Sequence, residues 1–62
     1  MIEAWGQLVR GDKLRRADGD EGSVKSVGQR VVVEWLWAKD GSSYSMSYWP
    51  DEMIPIHIER LL

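Results

Sequence analysis

Arg30-Val31-Val32-Val33-Glu34-Trp35-Leu36-Trp37 is the stretch whose reading decides the fold. β-branched and aromatic residues suit a pleated, half-buried surface, and side chains alternate between faces along a strand. Val31, Val33, Trp35 and Trp37 therefore share one face, and Val32, Glu34 and Leu36 share the other. A charge in the middle of the less bulky face predicts a sheet with one wet side.

Shorter strands flank this one. Upstream, Ser23-Val24-Lys25-Ser26-Val27 alternates, and Gly28-Gln29 makes a tight connection to Arg30, which predicts a hairpin. Downstream, Asp40-Gly41-Ser42-Ser43 reads as a second hairpin loop. It leads into Tyr44-Ser45-Met46-Ser47-Tyr48-Trp49, with Tyr44, Met46 and Tyr48 on one face and the serines on the other. Lys13-Leu14-Arg15-Arg16-Ala17 reads as a short strand after the Gly11-Asp12 turn, and Gln7 to Arg10 as an extended piece before it. Pro50 ends pairing because it lacks an amide donor, and Pro50-Asp51-Glu52-Met53 suits one 3₁₀ turn. The last strand is then read from Ile54 to Leu62, with Ile54, Ile56 and Ile58 on one face. The expectation is an all-β, five-stranded small barrel with one short 3₁₀ turn before the last strand. Residues 1–6 form an N-terminal arm, with Ile2 and Trp5 one helical turn apart, and residues 7–62 form the barrel domain.

The chain has 62 residues, 44% of them hydrophobic, and a formal net charge of −2. That is one domain near the lower size limit for unaided folding, so self-association is a natural supplement. Cysteine is absent and His57 is the sole histidine, which argues against disulfides and a zinc site. The Asp18-Gly19-Asp20-Glu21-Gly22 loop does not continue into a calcium-binding loop and reads as a solvated turn. Neither a metal nor a cofactor is expected. There is no membrane-spanning apolar run and no signal-like N-terminus, so a cytoplasmic protein is expected.

From Gly11 to Trp35 the chain resembles the KOW and Tudor group of SH3-like barrels. Gly11-Asp12-Lys13-Leu14-Arg15 is similar to the group's opening Gly-Asp-x-Val-Arg, Gly22-Ser23-Val24 to its Gly-x-Val, and Val31 to Trp35 to the following strand. The resemblance implies a core aromatic at Trp35. Basic KOW domains place Lys or Arg in the loop before Gly-x-Val, where this chain has Asp18-Gly19-Asp20-Glu21. Size and layout also resemble the type II dihydrofolate reductases, another small barrel. Their Val-Gln-Ile-Tyr motif would fall near Ile54-Pro55-Ile56-His57, without the glutamine.

Four tryptophans and two tyrosines exceed what one small core holds easily, which predicts an exposed aromatic patch. Trp37, Trp49, Trp5 and Tyr48 are its candidates, with Trp5 serving either as a contact residue or as a lid on the core. The favoured function is non-catalytic binding of a protein partner or a second copy, as would suit a phage or mobile-element protein docking on host machinery. The first alternative is binding of RNA or single-stranded nucleic acid, with Lys13, Arg15, Arg16 and Lys25 on phosphates and Arg30 nearby. A methylated cation held by Trp35, Tyr44 and Tyr48, and a dihydrofolate-reductase-like activity, are the remaining readings. His57 lacks a partner set for general-base work and is expected on the surface.

Overall fold

The computed structural model describes residues 4–61, so the readings placed on Ile2 and Leu62 lie outside it. One five-stranded antiparallel sheet contains β1 (Lys13–Arg16), β2 (Glu21–Val27), β3 (Val31–Leu36), β4 (Ser43–Tyr48) and β5 (Ile58–Leu61), in the order β4-β3-β2-β1-β5. The first four strands form a meander, and β5 returns to pair with β1. β4 and β5 are the sheet's edges, so the hydrogen-bonded ladder does not close. Among the described residues no helix is long and apolar enough to cross a membrane.

The alternation of β3 sets the core. Val31, Val33 and Trp35 are fully buried, whereas Glu34 and Leu36 are exposed on the opposite face. Leu14 of β1, Val24 of β2 and Ile58 of β5 complete the sheet's share of the core. Both Asp-Gly pairs turn the chain with a positive φ at glycine, 98° at Gly19 and 74° at Gly41, where a Cβ would be strained. In β2 the register with β3 shifts between Val24 and Ser26, a bulge that bends the strand locally. Gly22 has a purely steric role: a Cβ there would lie 2.7 Å from Cε3 of Trp35. The indole therefore rests directly on the β2 backbone.

Three expectations are corrected. Residues 7–10 form no strand; a 3₁₀ helix spans Trp5–Gln7, closed by the Ala4 N–H donating to Gln7 Oε1 at 2.9 Å. Nor do residues 50–53 make a 3₁₀ helix. They form a turn in which the Glu52 N–H donates to the Trp49 carbonyl, and Met53 then bridges to Ala4. Finally, β5 begins at Ile58 rather than Ile54. Pro55 cannot donate to a ladder, and its carbonyl instead accepts from the Ile58 N–H in a turn. Ile56 is consequently fully exposed, while Ile54 packs beside the core.

Within the segment read as an arm, Trp5 belongs to the core. Trp5 is fully buried, its backbone N–H donates to the Glu52 carbonyl, and Gly6 N–H donates to Pro50. Its ring stacks on Tyr48 with centroids 3.7 Å apart and planes 5° apart. Its indole N–H has no acceptor among the described residues, a cost of about 1–3 kcal/mol set against the burial of the ring.

These contacts fix three outcomes for urea denaturation. Trp5→Ala removes about 3–5 kcal/mol, comparable with the whole stability of so small a domain, and leaves the chain largely unfolded. Trp5→Phe keeps an aromatic ring for Tyr48, deletes the unpaired donor, and costs less than half as much. Gly22→Ala pushes Trp35 off the sheet and costs about 1–3 kcal/mol.

Candidate binding surface

The four tryptophans separate into two pairs. Trp5 and Trp35 are buried, while Trp37 and Trp49 are 47% and 55% exposed. Trp37 lies just beyond β3, where its N–H donates to the Ser42 carbonyl at 2.8 Å and closes the β3–β4 hairpin. Its ring packs against Tyr44 with centroids 5.4 Å apart and planes tilted by 56°. Trp49 follows the last residue of β4, under the Arg30 guanidinium, whose Cζ lies 4.3 Å from the ring centroid. The exposed indoles thus bracket β4, about 20 Å apart at the usual strand rise. They are two anchors flanking an edge strand rather than one contiguous patch.

Trp5 and Tyr48 do not belong to this surface. Burial leaves Trp5 no free face, so the lid role describes it and the contact role does not. Tyr48 is half-buried: one face stacks on Trp5 and its hydroxyl accepts the Trp35 Nε1–H at 2.9 Å.

Two of the three rings suggested for a methylated cation, Trp35 and Tyr44, hold one of the protein's own cations. Arg16 lies with Cζ 4.1 Å over Trp35 and 5.9 Å from the Tyr44 ring, and Nη1 donates to the Tyr44 hydroxyl. The Tyr48 ring stacks on Trp5 instead, and reaches this cluster through its hydroxyl, on the Trp35 indole N–H. Sequence reading missed the inward role of Arg16; its adjacency to buried Leu14 two residues earlier in the alternation was the available signal.

The remaining phosphate candidates are interleaved with acids on the outer face. Arg15 pairs with Glu59 at 3.0 Å, Lys25 reaches Glu34 at 3.8 Å, and the Lys13 ammonium donates to Ser23 Oγ at 2.8 Å. The structure therefore does not gather Lys13, Arg15, Arg16 and Lys25 into one basic patch. Such exposed pairs add little stability, but they dilute the local field that would attract phosphates.

Around Trp37 runs a shallow groove lined by Asp18, Asp20, Ala38, Lys39 and Asp40. These carboxylates are used locally. Asp20 Oδ1 accepts the Ala38 N–H, and Asp18 Oδ1 accepts the Asp20 N–H. Asp40 Oδ1 accepts both the hydroxyl and the N–H of Ser42, and these bonds, the hydroxyl's first, hold its carboxyl below the ordinary carboxylate value. A lowered pKa means that this turn contact is present near neutral pH and weakens as pH falls through the folded-state value. His57 is exposed in the turn before β5, beside Arg15, Arg16 and Glu59, and its carbonyl accepts the Ala17 N–H.

No protein-family model, curated protein or solved structure matches this chain.

Arg16 joins the fold to this surface, because it fixes Tyr44, on which Trp37 leans. Arg16→Ala is expected to cost about 2 kcal/mol in thermal or urea unfolding, the scale of a partly desolvated cation over an aromatic ring. Arg16→Lys recovers less than half, since an ammonium lacks the planar group that both stacks on Trp35 and reaches Tyr44. Full recovery by lysine would show that charge alone matters here.

Proposed function

We propose that this chain is a non-catalytic protein-binding module of the SH3-like small-barrel type, acting through the surface between Trp37 and Trp49. The observation that carries the reading is the division of the tryptophans. Two indoles supply the core, and two remain about half exposed at either end of an uncharged edge strand. A soluble domain gains nothing from leaving so much aromatic area in water unless something covers it, and Trp is among the residues most enriched where partners dock. The meander with β5 returned to β1, and the bulge in β2, are the wiring from which a small barrel is bent, and they support the finer fold assignment.

Nucleic-acid binding is the second reading, since stacking rings beside cations suit single strands and Arg30 lies over Trp49. The interleaving of Arg15 with Glu59 and Lys25 with Glu34 disfavours it.

The test compares the wild-type chain with a Trp37→Ala, Trp49→Ala double variant as immobilised baits, after circular dichroism shows both folded. Proteins held by the wild type are expected to be released at least tenfold more readily from the variant, the scale of losing an aromatic hot spot. Equal retention by both baits contradicts the proposal. Tight binding of a mixed oligonucleotide that weakens steeply with salt would replace it with the nucleic-acid reading.

A further inference from the structure

The two edges of the sheet are chemically unlike. β5 carries Glu59 and Arg60 and is preceded by Pro55, devices that discourage an edge strand from pairing. β4 reads Ser-Tyr-Ser-Met-Ser-Tyr, with no charge, no proline and no bulge in its register with β3. Its backbone parity follows from the hairpin. The Trp37 N–H donates to the Ser42 carbonyl, a bond that flanks the Leu36–Ser43 pair and makes it a non-hydrogen-bonded one, and the two kinds of pair alternate along an antiparallel ladder. Tyr44, Met46 and Tyr48 therefore exchange bonds with Trp35, Val33 and Val31, while the N–H and C=O groups of Ser43, Ser45 and Ser47 point away from β3. No described strand lies on that side.

We propose that β4 pairs antiparallel with β4 of a second copy of this chain, across a two-fold axis at Ser45. The inference names the partner of the strand between the exposed indoles, and it rests on reading that surface as a binding surface. Ser43, Ser45 and Ser47 are spaced symmetrically about Ser45. A dyad there sets Ser45 against its own equivalent and Ser43 against Ser47 of the second copy, so every outward group is satisfied. Moving the dyad to Ser43 or Ser47 leaves most of them unpaired, and moving it by one residue, to Tyr44 or Met46, sets Ser47 against Gly41 or Ser43 against Trp49, where the Gly41 N–H already donates to Trp37 and the Trp49 carbonyl already accepts from Glu52.

Side chains agree with this register. On the inner face Met46, 43% exposed and level with buried Val33, comes opposite Tyr44 of the second copy. Thioether and ring make a favourable contact, and each covers a surface the single sheet leaves open. At the ends, the Asp40-Gly41 turn of one copy comes level with Trp49 and Pro50 of the other. The Asp40 carboxylate then approaches the Arg30 guanidinium that lies over Trp49, and symmetry repeats this attraction at the opposite end. Both sheets join into one continuous sheet with the charged β5 edges outermost.

The contact is small, so the mass from light scattering on the full chain should rise from monomer to dimer between about 10 μM and 1 mM. Ser45→Lys, which faces two ammonium groups across the dyad, should stay monomeric throughout while keeping the wild-type circular dichroism spectrum. Under mild oxidation Ser45→Cys should give a covalent dimer, because a hydrogen-bonded pair holds its Cα atoms about 5.5 Å apart, within disulfide reach. Ser43→Cys should not, because its thiol would face Ser47 of the second copy. A wild type still monomeric at the top concentration overturns the proposal, as does dimerisation of Ser45→Lys or equal crosslinking of both cysteine variants. A monomeric wild type whose partner capture still depends on Trp37 and Trp49 overturns the dimer alone and leaves the binding-module reading standing.

Discussion

Tyr48 ties together segments distant in sequence. Its ring stacks on Trp5, its hydroxyl accepts the Trp35 indole N–H, and its backbone lies opposite Val31 in the sheet. One side chain thus joins the N-terminal 3₁₀ turn, the central strand and an edge strand. In a chain with no disulfide, such cross-links must come from side-chain packing, and an aromatic residue with a polar tip provides area and direction together. Trp5 and Trp35, each fully buried, remove about 200 Å² apiece from water, an upper estimate of about 5 kcal/mol each. Much of a small domain's stability is concentrated in this cluster.

The clamp also shapes what the surface offers. With Tyr48 turned inward, Trp49 emerges on the outside, and with Trp35 filling the core, Trp37 lies past the core's reach. Arg16 performs the corresponding task at the hairpin end, filling the space between Trp35 and Tyr44 with a cation that belongs to the fold. Outer-face charges mostly pair across strands, leaving β4 as the neutral strand of the sheet. Burial, internal cation–π contact and cross-strand pairing thereby sort the aromatic and charged residues into those holding the structure and those left facing solvent.

Much of the fold was legible from local pattern. Val31, Val33 and Trp35 alternate with Val32, Glu34 and Leu36, and the buried face follows that alternation. The Asp-Gly pairs at 18–19 and 40–41 announce their turns through the positive φ that glycine accepts. Long-range contacts were not legible. Trp5 reads as peripheral because its partners, Tyr48 and the turn at 49–53, lie more than forty residues away. The isoleucines at 54, 56 and 58 alternate like a strand, yet the missing N–H at Pro55 turns the chain and sends Ile56 into solvent. The surface was half legible. Trp37 continues the face of β3 past Trp35, and Trp49 must point opposite to its neighbour Tyr48, but Trp5 and Tyr48 looked equally available as contact residues. The capture of Arg16 by two rings, and the exposure of Met46 on an edge strand, depend on which strands become neighbours.

The central claim is that the four tryptophans are divided between a buried pair that holds the fold and an exposed pair on which the proposed partner would dock. Proton exchange at the four indole N–H groups, followed by ¹H–¹⁵N NMR after transfer to D₂O, tests it most directly. The account predicts that the Trp37 and Trp49 signals disappear at once, while those of Trp5 and Trp35 persist with the slowly exchanging amides of β3. Prompt loss of the Trp5 or Trp35 signal, or lasting protection of Trp37 and Trp49 in dilute monomer, would contradict it.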